Sequence, residues 1–184
     1  AQMDSQANRM TNLVNDLIQL SKLESASRER DGVAFDLTAL CHQVAGEMKG
    51  YSGDAEVRIN TERSLIVDGF KEEMHSALTN LVTNAIKYGD GKQVNIDIAP
   101  SDRGIEVAVK DQGPGIPPEH LSRVTERFYR VDESRESTVG GSGLGLSIVK
   151  HALEHHDAEL KIESALGQGS TFSFVIPSFR RENN

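Results

Sequence analysis

The sequence predicts an α+β fold, a two-layer α/β sandwich with helices grouped against a mixed, largely antiparallel sheet. Three observations carry this. Residues 71–88 place Met74, Leu78, Leu81, Val82, Ala85 and Ile86 on one helical face. Residues 94–98 and 105–109 alternate apolar and polar side chains across a turn at Ser101-Asp102-Arg103-Gly104, the pattern of a hairpin with one buried face. A second hairpin pattern closes the chain, at 160–163 and 170–176 around Gly167-Gln168-Gly169.

The other elements follow in order. Residues 3–24 carry Met10, Leu13, Leu17 and Leu20 at three- and four-residue steps, with Asn8, Arg9, Asn15, Asp16 and Gln19 off that stripe. So narrow a stripe suits a bundle seam, or an ordinary surface helix packed on its own domain. Residues 25–33 are polar and end near Asp31-Gly32, as a linker does. Residues 34–37 are a short extended entry, after which Asp36 or Thr38 caps a helix running to about Met48. Residues 56–60 and 65–67 read as two short strands around a turn at Thr61-Glu62-Arg63-Ser64. Gly89-Asp90-Gly91 stops the helix of 71–88. Residues 112–142 hold little regular structure beyond a helical piece near 119–124, and an irregular stretch this long is usually functional. A last helix runs from Leu144 to about His155.

The 184 residues suffice for one well-buried domain plus a small extra element. A 37% hydrophobic and 26% charged content fits a soluble globular chain. Net charge is −8 with no dense Lys/Arg run, which argues against a nucleic-acid or anionic-membrane surface. No apolar run approaches the ~18 residues of a membrane span, and no leader pattern opens the chain. Cys41 is the only cysteine, so no internal disulfide forms and a reducing compartment fits. Beside His42 it offers half of a reactive pair, but it reads better as a small apolar helix residue.

Three strings carry chemistry. In Asn80-Leu81-Val82-Thr83-Asn84-Ala85-Ile86-Lys87-Tyr88 the two asparagines share a helix face, and Lys87 approximately joins them. An amide oxygen is a neutral hard ligand for Mg²⁺, a lysine is a point charge for phosphate, and Tyr88 can lie on a base. Taken alone, the same helix serves equally as one with solvent-facing amides. Asp111-Gln112-Gly113-Pro114-Gly115 follows a strand; its carboxylate can accept from an exocyclic amine, and its glycines admit a flat base. Alone it also describes a β-turn closing a strand. Gly140-Gly141-Ser142-Gly143-Leu144-Gly145-Leu146-Ser147 opens a helix, where bare backbone N–H groups form an anion site. A Walker A loop is excluded because Leu146 occupies its lysine position, and the Rossmann spacing is absent.

Together the three strings resemble the N, G1 and G2 boxes of the Bergerat-fold ATPases, the superfamily of gyrase, Hsp90, MutL and histidine kinases. Within it the chain resembles a sensor histidine kinase, through residues 80–88, through Glu126-Arg127-Phe128-Tyr129-Arg130, and through residues 143–150. Gly167-Gln168-Gly169-Ser170-Thr171-Phe172 resembles the family's closing strand, and residues 125–132, 148–151 and 172–177 look most similar to phosphate-regulon sensor kinases. Residues 3–24 resemble the second helix of the kinase dimerisation hairpin. The resemblance implies a partial dimerisation helix and linker at 1–30 and a catalytic ATP-binding domain at 31–184.

It also implies roles. Asn84 binds Mg²⁺; Lys87 and Arg130 touch phosphates; Tyr88 stacks near the adenine, and Asp111 receives its amine. Residues 116–140 form the ATP lid, with Ile116 and Tyr129 at the nucleotide and Phe128 packed as the lid's anchor. Gly113 and Gly115 shape the base site; Gly141, Ser142, Gly143, Leu144, Gly145 and Leu146 frame the triphosphate; Thr171 helps at the base. Asn80, Lys87 and Arg130 form the catalytic set. Asn80 stands where ATP-hydrolysing relatives carry glutamate, and a neutral amide cannot take a proton from water.

None of the six histidines lies in the family's phosphoacceptor string, and all six read as structural or solvated. The acceptor helix is expected ahead of Ala1, so the chain reads as a piece of a longer kinase: the cytoplasmic part of an inner-membrane bacterial sensor. The expected ligands are ATP and Mg²⁺. The expected partners are a response regulator and the kinase's own dimerisation helix in a homodimer, with membrane contact only through segments outside this chain. Two other readings stay open: a nucleotide-binding interaction module without catalysis, and a Bergerat-type ATPase or serine kinase. Asn80 argues against the ATPase, and the helix at 3–24 against the serine kinase.

Overall fold

The computed structural model describes residues 2–26, 31–49, 55–90, 93–131 and 141–177. The elements in chain order are α1 (Gln2–Ser25), β1 (Val33–Asp36), α2 (Leu37–Met48), β2 (Val57–Asn60), β3 (Ile66–Gly69) and α3 (Lys71–Tyr88). β4 (Val94–Ser101), β5 (Gly104–Lys110), α4 (Pro118–Leu121), α5 (Gly145–Glu154), β6 (Lys161–Ala165) and β7 (Gly169–Pro177) complete it. A five-stranded sheet runs in the order β2-β4-β5-β7-β6, with β2 parallel to β4 and every other pair antiparallel. β1 and β3 form a separate antiparallel pair. The mixed, largely antiparallel sheet matches the sequence expectation.

One face of the sheet is covered. Ile96, Ile98, Val107, Val109, Phe172, Phe174 and Ile176 meet Leu40 and Val44 of α2, Met74, Leu78, Leu81 and Val82 of α3, and Ile148, Val149 and Leu153 of α5. Burying side chains of this size contributes about 1.5–3 kcal/mol each. Cys41 is fully buried among them, and burial pushes its thiol up to about 12. It is an inert core residue, as its setting in the sequence suggests.

The strands flanking Thr61–Ser64 are present, but they do not pair with each other. β2 joins the large sheet and β3 pairs with β1. Polar groups at the start of α2 divert the chain. Asp36 caps that helix by accepting from Ala39 N (2.9 Å), and its other oxygen accepts from Ser64 Oγ (2.6 Å). Thr38 Oγ1 donates to Arg63 O and accepts from Leu65 N (3.3 and 3.2 Å). Leu37 N donates to Leu65 O (2.9 Å), so residues 63–65 are held on α2 and cannot fold back onto β2.

α1 docks on the domain by its C-terminal half. Leu20 and Leu23 join the core and Leu13 packs on it, whereas Met10, Val14, Leu17 and Ile18 stay exposed. The stripe of Met10, Leu13, Leu17 and Leu20 is therefore not one seam: a helix turns 100° per residue, and its contact face drifts with the curvature of the surface beneath it. Gln19 Nε2 donates to Ser76 Oγ of α3 (2.5 Å), and Glu24 pairs with Arg127 and with His151 of α5. Releasing this helix needs only local opening. Leu20→Ala combined with Leu23→Ala should raise amide exchange throughout α1 and leave α3 protected; equal loss of protection in both would contradict separate docking.

α5 and α3 are bolted at their far ends by His156. Its Nδ1–H donates to Ala152 O (2.7 Å), and its Nε2 accepts from Phe70 N (2.9 Å). The ring is neutral in one tautomer, and burial lowers its pKa below the usual histidine value, with Glu73 opposing and His155 reinforcing that shift. A depressed folded pKa means that the unfolded chain binds the extra proton first. The stabilisation is complete above about pH 6.5 and is lost as pH falls through that value towards the folded pKa. Thermal melts should show this acid-side loss, and His156→Gln should flatten the dependence between pH 7 and 5.5 while lowering the melting temperature at pH 7.

Candidate functional site

The site lies where α3, the end of β5 and the start of α5 meet. On α3, Asn80 Nδ2 donates to Ser76 O one turn back (2.9 Å), which leaves Oδ1 facing α5. Gly145 sits against it: a Cβ built there would lie 2.8 Å from Asn80 Oδ1 and 3.8 Å from Asn84 Nδ2. A glycine there lets α5 begin beside both asparagines without displacing the Asn80 amide. The Asn84 amide is half-buried and has no hydrogen-bond partner among the described residues. Lys87 is half-buried on the last turn, and Tyr88 is exposed with its hydroxyl towards Gly141.

Asp111 follows β5 and is fixed from two sides. Its N–H donates to Ser170 O (3.0 Å), and its Oδ1 accepts from Gly113 N (2.8 Å) and Ser170 N (3.2 Å). Burial raises the carboxyl above its ordinary value, and the two backbone donors pull the other way. Oδ2 has no partner among the described residues and is a free acceptor. Gly113 passes so close to the end of α3 that a Cβ would fall 2.2 Å from Tyr88 O. Beyond Gly115, Ile116 N donates to Ser164 Oγ (2.8 Å) while its side chain packs on the core.

The loop before α5 is tied to residues 128–130. Phe128 N donates to Gly143 O (2.9 Å), and Arg130 Nη1 donates to Gly141 O (2.6 Å). Ser142 Oγ accepts from Leu144 N (3.1 Å) and donates to Asp16 Oδ2 of α1 (2.5 Å). Leu144 is wholly buried in the core and Leu146 packs against it, so these two residues bring backbone, not side chains, to the loop. The first N–H groups of α5 are thereby presented next to Asn84.

Three expectations need correction. Phe128 is not a packed anchor: it is 59% exposed with φ +63°, and what it anchors is the chain, through its N–H on Gly143. Tyr129 is turned into the α4 segment, its hydroxyl on His120 Nδ1 and the Arg123 guanidinium over its ring at 4.2 Å. Thr171 lies on the open face of the sheet with Asp97, Lys110, Glu163 and Ser173 around a shallow depression. Phe172 and Phe174 point into the core, so strand alternation sends Thr171 the other way. The residue on the Asp111 side is Ser170. That register was legible in Phe172, Phe174 and Ile176, and Ser164 and Asp16 had no comparable signal. Residues 132–140 of the expected lid, including Gly140, lie outside the described residues.

The histidines take structural places. His75 contacts Glu47 (2.8 Å), His155 contacts Glu73 (2.7 Å), His151 lies between Glu24 and Glu154, and His42 is exposed. Among the described residues no helix is long and apolar enough to cross a membrane.

Comparison with known proteins agrees with this geometry. The chain is 43% identical over 175 residues to the phosphate regulon sensor protein PhoR of Pseudomonas aeruginosa, covering 94% of this chain and 40% of that protein. It is 40% identical over 180 residues to the sensor-like histidine kinase SenX3 of Mycobacterium tuberculosis, covering 94% of this chain and 43% of the relative. The chain thus spans about two-fifths of these curated relatives. Among solved structures, the mycobacterial sensor histidine kinase MprB superposes with TM-score 0.69 at 30% identity, over 79% of this chain and 97% of MprB. Full-length ShkA, solved in complex with AMPPNP, superposes with TM-score 0.77 at 25% identity, over 96% of this chain and 38% of ShkA. Residues 69–180, which contain α3, Asp111 and the loop before α5, match the family model itself, and the chain belongs to the histidine kinase-, DNA gyrase B- and HSP90-like ATPases.

Proposed function

We propose that the chain is the catalytic ATP-binding part of a two-component sensor histidine kinase, with residues 1–30 as partial dimerisation helix and linker and 31–184 as the catalytic domain. The observation that carries this is the gathering of three unsatisfied groups along the C-terminal half of α3: Asp111 Oδ2, the Asn84 amide and the N–H groups opening α5. An amine acceptor, a hard neutral oxygen and an anion site are what adenine, Mg²⁺ and a triphosphate require. The kinship with PhoR supports a role in phosphate-starvation signalling.

In this reading Asp111 Oδ2 accepts from the adenine amine, with Ser170 beside it in the place expected of Thr171. Asn84 would hold Mg²⁺, and the metal would supply charge neutralisation at the phosphates. Lys87 and Arg130 donate to phosphate oxygens, and Gly141, Gly143 and Gly145 leave the backbone N–H groups uncovered. The γ-phosphoryl would leave the β-phosphate oxygen, releasing ADP, for a histidine nitrogen on the dimerisation helix of a homodimer, and would then pass from that nitrogen to a response regulator. Positioning and charge do most of this work. Asn80, bonded through its amide to Ser76, has no basic group to offer a water. As the cytoplasmic part of an inner-membrane sensor, the chain would meet the membrane through other segments. One alternative is a nucleotide-binding module without catalysis, favoured by the lack of a phosphoacceptor string among its six histidines.

Calorimetry should detect ATP binding that strengthens with Mg²⁺ and that Asp111→Asn reduces at least about tenfold, the scale of a lost charged hydrogen bond. Metal-independent binding untouched by that substitution would defeat the reading. Steady-state hydrolysis should stay below ~1 s⁻¹, slow for an enzyme; faster turnover would point to the ATPase class instead.

A further inference from the structure

Ser164, on β6, belongs to none of the motifs above, yet its hydroxyl is saturated. Oγ accepts from Ile116 N (2.8 Å), donates to Gly169 O (3.0 Å) and shares a third bond with Ser170 Oγ (2.9 Å). A hydroxyl has one proton and two lone pairs. With its proton on Gly169 O, Ser164 takes the Ser170 hydroxyl as a donor. One oxygen thus joins the far end of the Asp111 loop, the β6–β7 turn and the start of β7. The same turn holds the loop a second time, through Gly167 N on Pro114 O (2.8 Å).

The next link is Asp111. Two N–H groups fix its Oδ1, those of Gly113 and Ser170, and Ser164 clamps both segments that supply them. We infer that Ser164 is a positioning residue for adenine recognition: by holding Ile116 and Ser170 it locks the Asp111 carboxylate with one oxygen spent on backbone and the other free for the base. This rests on the reading of Asp111 as the acceptor for the adenine amine. Removing the hydroxyl strands the Ile116 N–H and releases the Ser170 hydroxyl, so the segments around Asp111 loosen and its carboxylate loses its fixed orientation, while the phosphate-facing groups on α3 and α5 are untouched.

The test compares two nucleotides by calorimetry on the full chain. ATP carries the exocyclic amine, and purine riboside triphosphate lacks it. In the wild type, ATP should bind at least about tenfold more tightly, as expected for a hydrogen bond to a charged acceptor. In Ser164→Ala that preference should collapse towards one through weaker ATP binding, with the analogue's affinity unchanged. Ser164→Cys, of nearly the same size, supplies a second variant should the alanine chain fail to fold, and it should lose most of the preference too. In an Asp111→Asn background Ser164→Ala should cost nothing further, because the two act through one contact. A wild-type preference near one overturns the Asp111 reading and this inference together. A clear wild-type preference that survives in the Ser164 variants, or equal loss for both nucleotides, overturns this inference alone.

Discussion

Everything at the site depends on how closely α5 approaches α3. α5 has ten residues and so spans about 15 Å, the length of α3 between Phe70 and Asn80. At one end Gly145 rests on Asn80, and a Cβ there would push the Asn80 amide aside. At the other, His156 accepts from the N–H of Phe70 and His155 contacts Glu73. The two helices thus run antiparallel and are pinned at both ends. Separation at either end would carry the opening N–H groups of α5 away from Asn84. The core beneath them, from Leu78 to Leu153, supplies the cohesion that these few polar contacts direct.

The second fixed point is the hairpin that brackets Asp111. A partly buried carboxylate is costly unless its oxygens are satisfied. Here one oxygen takes two backbone donors, from Gly113 and Ser170, and the other is left over. The strand pairing of β5 with β7 brings Ser170 there, and Ser164 on β6 keeps it in place. In the proposed reading, base specificity thus comes from the ends of two interior strands, β5 and β7, and anion binding from a helix start. The two can be altered separately.

Much of this was legible in the sequence, and the failures share a cause. α3 emerges at the expected residues, 71–88, because six apolar positions and a glycine stop agree. Asp36 caps α2 as its residue type and place suggest. Both hairpins follow from period-two alternation, and the three motifs meet along the C-terminal half of α3. Most of what failed needed knowledge of side-chain partners that no periodic pattern names. β2 and β3 read as neighbours, but Ser64 and Leu65 are claimed by Asp36, Thr38 and Leu37, more than 25 residues away. Tyr129 is held by His120 and Arg123, and α1 divides its stripe between core and solvent because the surface beneath it decides which leucines are buried. Thr171 is the exception: the alternation of Phe172, Phe174 and Ile176 turns it to the open face of the sheet, and the residue beside Asp111 is Ser170.

The charge balance bears on how such a site works in an acidic chain. A net charge of −8 opposes a polyanion at long range, but exposed charges beyond about 8 Å are largely screened at physiological salt. What counts is local, and in the proposed site the donors among the described residues are Lys87, Arg130 and the N–H groups opening α5. α5 begins with no side-chain cap, so its donors are left for another acceptor. Asp16 of α1 takes the Ser142 hydroxyl rather than these N–H groups. With α1 docked, a negative charge therefore stands at the rim of the proposed anion site without filling it, and the donors of α5 stay open to the phosphates that this reading places there.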